Sequence, residues 1–397
     1  MSREKRKEII ERIEDKRKSK VITYITSDRD GLSSDIAGDV VPIIHEHISV
    51  LQSKKKERYD FLIYSRGGHS DIPWTIVSMF REYSEKGSFN VLIPYKAHSA
   101  ATVIALGADE IIMTKKAELG PIDITIGSGP YNPMEKNSFN RLPISVEDVT
   151  GYFSMLKKVG CARNDEIMRG FELLTKHVHP LALGNVNRLL EETKLVALRL
   201  LSTRSVPFSN EENEEIIKKI SSEVYSHSHT ISRTEALKYI GLKQVVKSED
   251  INLSEDLWEL YNEYKNLFCF EDPFKPEEYL FSNNLEENIW KDLSLACIES
   301  LEKFDICKVD MRVRKLRQIP PQVNLNLQNI NFPAINIPNL PTNFTPQQID
   351  IIIRETVNSV IQESLNNAAN IITNQFLNSL PQAGFERFLF NGSWRKD

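Results

Sequence analysis

The chain has 397 residues, room for two or three domains, and its apolar (41%) and charged (26%) fractions are those of a soluble globular protein. A net charge of −5 and a pI near 6.0 give no basic excess of the kind nucleic-acid binding requires, and no run of about 18 apolar residues marks a membrane span. Four scattered cysteines without a C-x-x-C pair, and eight histidines without H-E-x-x-H, argue against a zinc ribbon or a metalloprotease helix, so neither metal nor cofactor is expected.

The first 20 residues, "MSREKRKEIIERIEDKRKSK", lack the apolar core of a secretion signal and read as a charged, solvated helix with one narrow stripe of Ile9, Ile10 and Ile13. "VITYITS" is a strand by its β-branched content, and a polar loop leads to a helix with Val40, Ile44, Ile48 and Leu51 on one face. "YDFLIYS" is a buried strand that turns at "RGG" into a helix carrying Ile72, Ile76, Phe80 and Tyr83. "FNVLIP", the small-residue helix "SAATVIALGA" and the strand "EIIMT" follow. This alternation predicts a mostly parallel α/β sheet across residues 21–250. Later in that span come helices from "SVEDVTGYFSMLKKVG" to "LGNVNRLLEETKLVALRLLS", and then "TISRTEALKYIGLKQVV", a capped helix ending at Gly241 before a strand.

Residues 251–308 are expected to form a helical extension. Residues 309–345 are rich in Asn, Pro and Ile, and their prolines argue for an extended, polyproline-II-like linker. Residues 346–397 open with Pro346 behind a Thr345 cap and carry a long stripe from Ile349 through Ile353, Val357, Ile361 and Leu365 to Leu380, predicting an amphipathic helix and tail. Such a helix needs a surface to cover: another copy of the chain, a partner protein, or its own body.

Two turns carry chemistry. Acyl transfer needs a nucleophile, a base and two donors for the developing oxyanion. "YSRGG" ends one strand and opens a helix, so the Gly68 N–H is a candidate donor. "HSA" does the same on the next strand, setting Ser99 and the Ala100 N–H at the positive end of a helix. In a parallel sheet both turns lie at the carboxyl ends of their strands. Taken singly, the glycine pair reads as a plain turn and Ser99 as a helix cap. Together, on consecutive strand–helix units, they outline an acyl-transfer site.

"LIYSRGGHS" followed by "VLIPYKAHSAATVIALGADEIIMTKKAELGPIDITI" resembles the serine dehydrogenase proteinase family, itself similar to signal peptide peptidase A within the Clp protease and crotonase superfamily. The resemblance covers roughly Val21 to Val246, with "YITSDRDG" and "HSHTISRTEALKYIGL" fitting the same layout. It implies a spiral of ββα units, assembly into homo-oligomers, and peptide-bond hydrolysis by Ser99. It also implies an oxyanion and substrate-binding site built from Gly67, Gly68 and Ala100. No G-x-G-x-x-G supports a dehydrogenase.

The base is open. Where the Clp proteolytic subunit has a His, this chain has "LGPIDIT" with Asp123, which reads as a turn anchor. Signal peptide peptidases use a Lys, and Lys136 lies in the corresponding loop; such a base must be desolvated or set beside another cation to be neutral near pH 7. His227, His229, His177 and His179 compete with it, while His98 adjoins Ser99 but points to the opposite face of its strand. The expectation is a cytoplasmic serine peptidase. The alternatives are a binding or assembly module that has lost the chemistry, and an acyl-CoA enzyme of the crotonase kind, for which no adenine-binding surface or reacting carboxylate is visible.

Overall fold

The computed structural model describes residues 3–52, 57–122, 125–126, 129–135, 141–160, 164–223, 229–317, 346–380 and 382–396. It divides into two compact units: Met1–Lys275 with Asp292–Asp310 and Asn391–Asp397, and Pro276–Lys291 with Met311–Phe390.

The main sheet comprises β1 (Lys20–Thr26), β2 (Glu57–Tyr64), β3 (Ser84–Ile93), β4 (Glu110–Met113), β5 (Val245–Lys247), β6 (Glu287–Glu299), β7 (Phe304–Arg317) and β8 (Gln382–Lys396), in the order β5-β4-β3-β2-β1-β6-β7-β8, of which β1 to β5 lie wholly in the first unit. From β5 to β1 the strands are parallel, and β6 runs antiparallel to β1. The last six residues of β2 are all buried, as a strand covered on both faces must be. One face is packed by α2 (Val40–Leu51), α3 (Ile72–Tyr83), α4 (Ala100–Leu106) and α7 (Pro180–Ser202), around a stack in which Phe80 meets Phe61 at 5.1 Å and Phe89 at 4.8 Å.

A smaller sheet sits beyond the carboxyl ends of these strands. Lys96–Ala97 runs parallel to Glu118–Leu119, which pairs antiparallel with Ile231–Ser232. A long strand, a short outer strand and a helix thus follow one another in Ser84–Ile93, Lys96–Ala97 and Ala100–Leu106. The α/β architecture of ββα steps stands as expected from the sequence, and so does the C-terminal helix, Pro346–Ser379. Gly241 closes its helix in the left-handed conformation (φ 95°), and Ser232 caps the start of that segment through the Glu235 N–H.

Three expectations are corrected. The N-terminal helix α1 (Arg3–Arg17) is not solvated: Ile9, Ile10 and Ile13 are fully buried with Leu257, Leu260 and Tyr264 of α9 (Ser254–Leu267) on the second face of the sheet. Its charges are partnered instead: Arg6 with the buried Glu299 at 2.6 Å, Arg17 with Asp60 at 2.7 Å, and Lys16 with Asp256 at 2.5 Å. Residues 251–308 are not a helical extension, for after α9 and α10 (Pro276–Ser282) the chain forms β6 and β7. Along β7 the burial alternates at Val309, Met311 and Val313, the period of a half-covered strand. The linker thus starts no earlier than residue 318, and most of it lies outside the described residues. Finally, the tail after α11 (Pro346–Ser379) is the strand β8, whose Trp394 donates to Asp39 in the first unit. Within the second unit Arg387 pairs with Glu277 at 2.6 Å and Arg317 with Glu286 at 2.6 Å.

A buried polar cluster ties α2 to the β6–β7 turn. His47 Nδ1 meets Ser300 Oγ at 2.8 Å and its Nε2 meets Asp305 at 3.0 Å; Lys303 bridges Asp305 (2.7 Å) and Glu46 (2.6 Å). Burial lowers the His47 pKa from 6.5 to about 4, against the pull of Asp305 and with the help of Lys303. The unfolded chain therefore takes up this proton first. The stability the neutral imidazole contributes is complete above pH 6.5 and is lost as pH falls toward 4. Urea unfolding from pH 7 to 4 should show wild type losing up to about 3 kcal/mol more than His47→Asn; a difference independent of pH would contradict this.

Candidate active site

The two turns marked in the sequence are neighbours because β2 and β3 are. The pairing continues past the strands. Ser65 N–H donates to Lys96 O at 3.1 Å, and His98 N–H donates to Ser65 O at 3.0 Å. On the other side, Ile36 N–H donates to Gly67 O at 2.7 Å and His69 N–H to Ile36 O at 2.9 Å. These two bonds flank Gly68. In a parallel ladder alternate residues bond to opposite sides, so the Gly68 N–H is directed away from Ile36, toward the turn at His98–Ala100.

That turn lies against Gly67. A Cβ on Gly67 would come within 2.6 Å of Ser99 Cβ and 2.8 Å of His98 O, and φ is 114° there. A Cβ on Gly68 would overlap the backbone of Ile36, with φ at 155°. Both positions require glycine, one for close approach to Ser99 and the other for close approach to Ile36.

Ser99 occupies the N-cap position of α4 but does not act as a cap. Its φ and ψ are 48° and −117°, and its side chain makes no cap hydrogen bond. Instead the His98 carbonyl takes the Ala101 N–H at 2.9 Å. A non-glycine residue at this φ is strained, at a cost of about 1–3 kcal/mol that the surrounding structure must hold in place. Among the described residues the Ser99 hydroxyl, the Gly68 N–H and the Ala100 N–H have no hydrogen-bond partner. Ser99 is partly exposed and Ala100 is buried at the first turn of α4, where the helix leaves its N–H groups unpaired. Thr102, not singled out from the sequence, anchors the turn: its buried hydroxyl lies 2.7 Å from Ala97 O and 2.8 Å from Gly120 O.

Residues 1–178 match the family of ClpP-like SDH-type serine proteinases. Two uncharacterised proteins of Methanocaldococcus jannaschii are similar: one is 26% identical over 46% of this chain and 51% of its own length, the other 30% identical over 32% of this chain and 44% of its own. The chain thus spans about half the length of these curated relatives. Among solved structures, a variant of a membrane-bound stomatin-specific protease is 17% identical over 59% of this chain and 83% of its own (TM-score 0.32). ClpP1 from Listeria monocytogenes is 15% identical over 60% of this chain and 96% of its own (TM-score 0.31). The SDH-type match covers both turns, and the family it names is one of serine proteinases.

Around the SDH-type turns, the groups expected to matter fall into three sets. Ser99, Gly67, Gly68 and Ala100 come together. The Gly67 N–H is taken by Ser65 Oγ at 3.0 Å. The second set is engaged elsewhere. His98 Nε2 meets Glu118 at 3.0 Å, with its ring against Gly120. His229 pairs with Glu235 at 2.9 Å; His179 accepts the Leu181 N–H at the start of α7 and stacks on Tyr131; His177 is exposed. The third set, Lys136, His227 and Asp123, lies outside the described residues.

One cation near Ser99 was not foreseen. Lys96 donates to Asp28 at 2.8 Å, and Asp28 also accepts from Tyr64 at 2.7 Å and pairs with Arg66. Burial pushes the Asp28 carboxyl up, but the bonds from Lys96 and Tyr64 and the charges of Lys96 and Arg66 outweigh it, and its pKa ends below the usual value. Burial raises the Glu118 carboxyl. Among the described residues no cluster of three or more His, Cys, Asp or Glu side chains could hold a metal ion, and no helix is long and apolar enough to cross a membrane.

The glycine argument is testable by stability alone. Gly68→Ala should destabilise by about 1–3 kcal/mol in urea unfolding, whereas Gly151→Ala, in helix Val146–Gly160 with nothing within 4 Å of the added Cβ, should stabilise by about 0.5–1 kcal/mol. Equal effects at the two positions would overturn the close-approach reading.

Proposed function

We propose that the chain is a serine peptidase of the signal-peptide-peptidase type, with Ser99 as nucleophile. The observation that supports this is the strained Ser99, whose hydroxyl, like the N–H groups of Gly68 and Ala100, has no hydrogen-bond partner among the described residues. Attack by Ser99 Oγ on a peptide carbonyl would place the developing oxyanion between the N–H groups of Gly68 and Ala100. Fixed donors of this kind are worth about 10²–10³ in rate each.

Lys136 is the proposed base. It lies in the loop where signal peptide peptidases carry their lysine; among the described residues Lys96 is paired with Asp28, His98 with Glu118 and His229 with Glu235, His179 caps α7, and His177 is exposed. A lysine base must be neutral to accept the proton, which a carboxylate partner opposes. Cys269, Cys297 and Cys307 are all free, in keeping with a reducing, cytoplasmic setting. Exposed Ile351, Ile361 and Leu365 on α11, with Phe388 and Leu389 on β8, favour self-assembly of the full chain.

A fluorophosphonate probe tests the reading. Wild type should take up label at Ser99, mapped by mass spectrometry. Ser99→Ala should take none and should lose at least about 10³-fold in peptide hydrolysis; Lys136→Ala should label far more slowly than wild type. If wild type takes no label and Ser99→Ala hydrolyses peptides equally well, the chain is instead an inactive module that keeps the fold. Sedimentation of the full protein should give a mass above that of one 45.6 kDa chain, and a monomer would remove the assembly.

A further inference from the structure

Gly67 and Gly68 present two amides at the same turn, and only one can face the site. What chooses between them lies beneath the turn. Ser65 is fully buried, and its hydroxyl accepts the Gly67 N–H at 3.0 Å. It also accepts the hydroxyl of Thr26, itself buried at the end of β1, at 2.9 Å. Its own proton is directed to Gly67 O at 3.4 Å, an oxygen already held by Ile36 N–H. A serine hydroxyl has one proton to give and two lone pairs to fill, so this one is saturated.

We propose that Thr26 and Ser65 are positioning residues of the peptidase: Ile36 N–H orients the Gly67–Gly68 peptide plane through Gly67 O, while Ser65, braced by Thr26, holds the preceding Arg66–Gly67 plane through Gly67 N–H, so that Gly67 cannot pivot and the Gly68 N–H keeps its direction. The inference rests on the nucleophile assignment above. Its physical basis is that Gly67, at φ 114°, has no side chain to restrict it, so its conformation must be held from outside. Backbone ladder bonds fix Gly67 O and His69 N–H through Ile36, and the remaining polar group, Gly67 N–H, is fixed by Ser65 alone among the described residues. Thr26 then leaves the Ser65 hydroxyl no freedom to rotate, because it occupies the other lone pair. The chain of bonds runs across β1 and β2, from the edge of one turn to the other, in a region with no exposure to water.

The residue type has a direct consequence. Valine matches threonine in shape but cannot donate, whereas serine donates with one methyl group fewer. Thr26→Val should therefore keep the fold, by circular dichroism and an unchanged order of urea midpoints, yet slow fluorophosphonate labelling of Ser99 by about 10–100-fold, because a loosened donor forfeits part of the 10²–10³ that a fixed one supplies. Thr26→Ser should label within about threefold of wild type. On peptide substrates kcat should fall for Thr26→Val with KM nearly constant, the pattern of a contact made only in the transition state. Hydrogen exchange at the Gly67 amide should quicken in the same variant, which gives a readout that does not depend on chemistry. Equal labelling of wild type, Thr26→Val and Thr26→Ser, with unchanged Gly67 exchange, would overturn the positioning role and leave the peptidase intact. A wild type that takes no label would remove the nucleophile assignment, and this inference with it.

Discussion

The site depends on one close approach, that of the Gly67 backbone to Ser99. A single added carbon at Gly67 would stand 2.6 Å from Ser99 Cβ, so the two turns are packed as tightly as backbone allows. The approach is not made by the turns themselves. It is inherited from the order of the strands: β2 and β3 are adjacent and parallel, and their pairing continues through Ser65 and Ala97. A parallel ladder fixes both the spacing and the direction of successive amides. Ser99 can then be held at φ 48° because the elements on either side are fixed before it is. The strain is local, while the support comes from the whole sheet.

This explains why the two turns were legible in the sequence. A glycine pair after a buried strand, and a serine before a small-residue helix, are local patterns with local causes. The glycines are needed for left-handed backbone, and the small residues let α4 pack between α3 and α7. Each pattern alone allowed a plain turn or cap. Their pairing became informative because consecutive strands in such a fold are neighbours, which is a rule about topology. Local pattern does not reveal what holds the Gly67 amide, which is the hydroxyl of Ser65; that hydroxyl accepts in turn from Thr26, a residue about forty positions upstream that no periodicity singles out.

The misread segments have a common origin. In α1, the mixed charged residues from Arg3 to Glu8 and from Glu14 to Arg17 looked like a solvated surface. Yet Arg6 and Arg17 reach buried carboxylates, and the aliphatic stems of such side chains cover apolar surface as they do so. Charge patterning reports solvation only when the partners lie in water, and Glu299 and Asp60 do not. The partner of Arg6 is at position 299, so nothing within α1 could announce it. The strands β6 and β7 fail in the same way: their polar positions face outward along a half-covered ribbon, a period-two signal easily lost among scattered charges.

Lys96 shows what a lysine near Ser99 becomes when it has a carboxylate beside it. It lies three residues before Ser99, on the outer strand that leads into the turn. Asp28 holds it by a bond of 2.8 Å, and Asp28 is itself kept ionised by Lys96, Tyr64 and Arg66 together. A lysine that serves as a base must be neutral, so it needs desolvation or a neighbouring cation. The same reasoning sets the condition for any base that serves Ser99: a lysine must reach the hydroxyl from surroundings without a paired carboxylate, and a histidine must keep one ring nitrogen free.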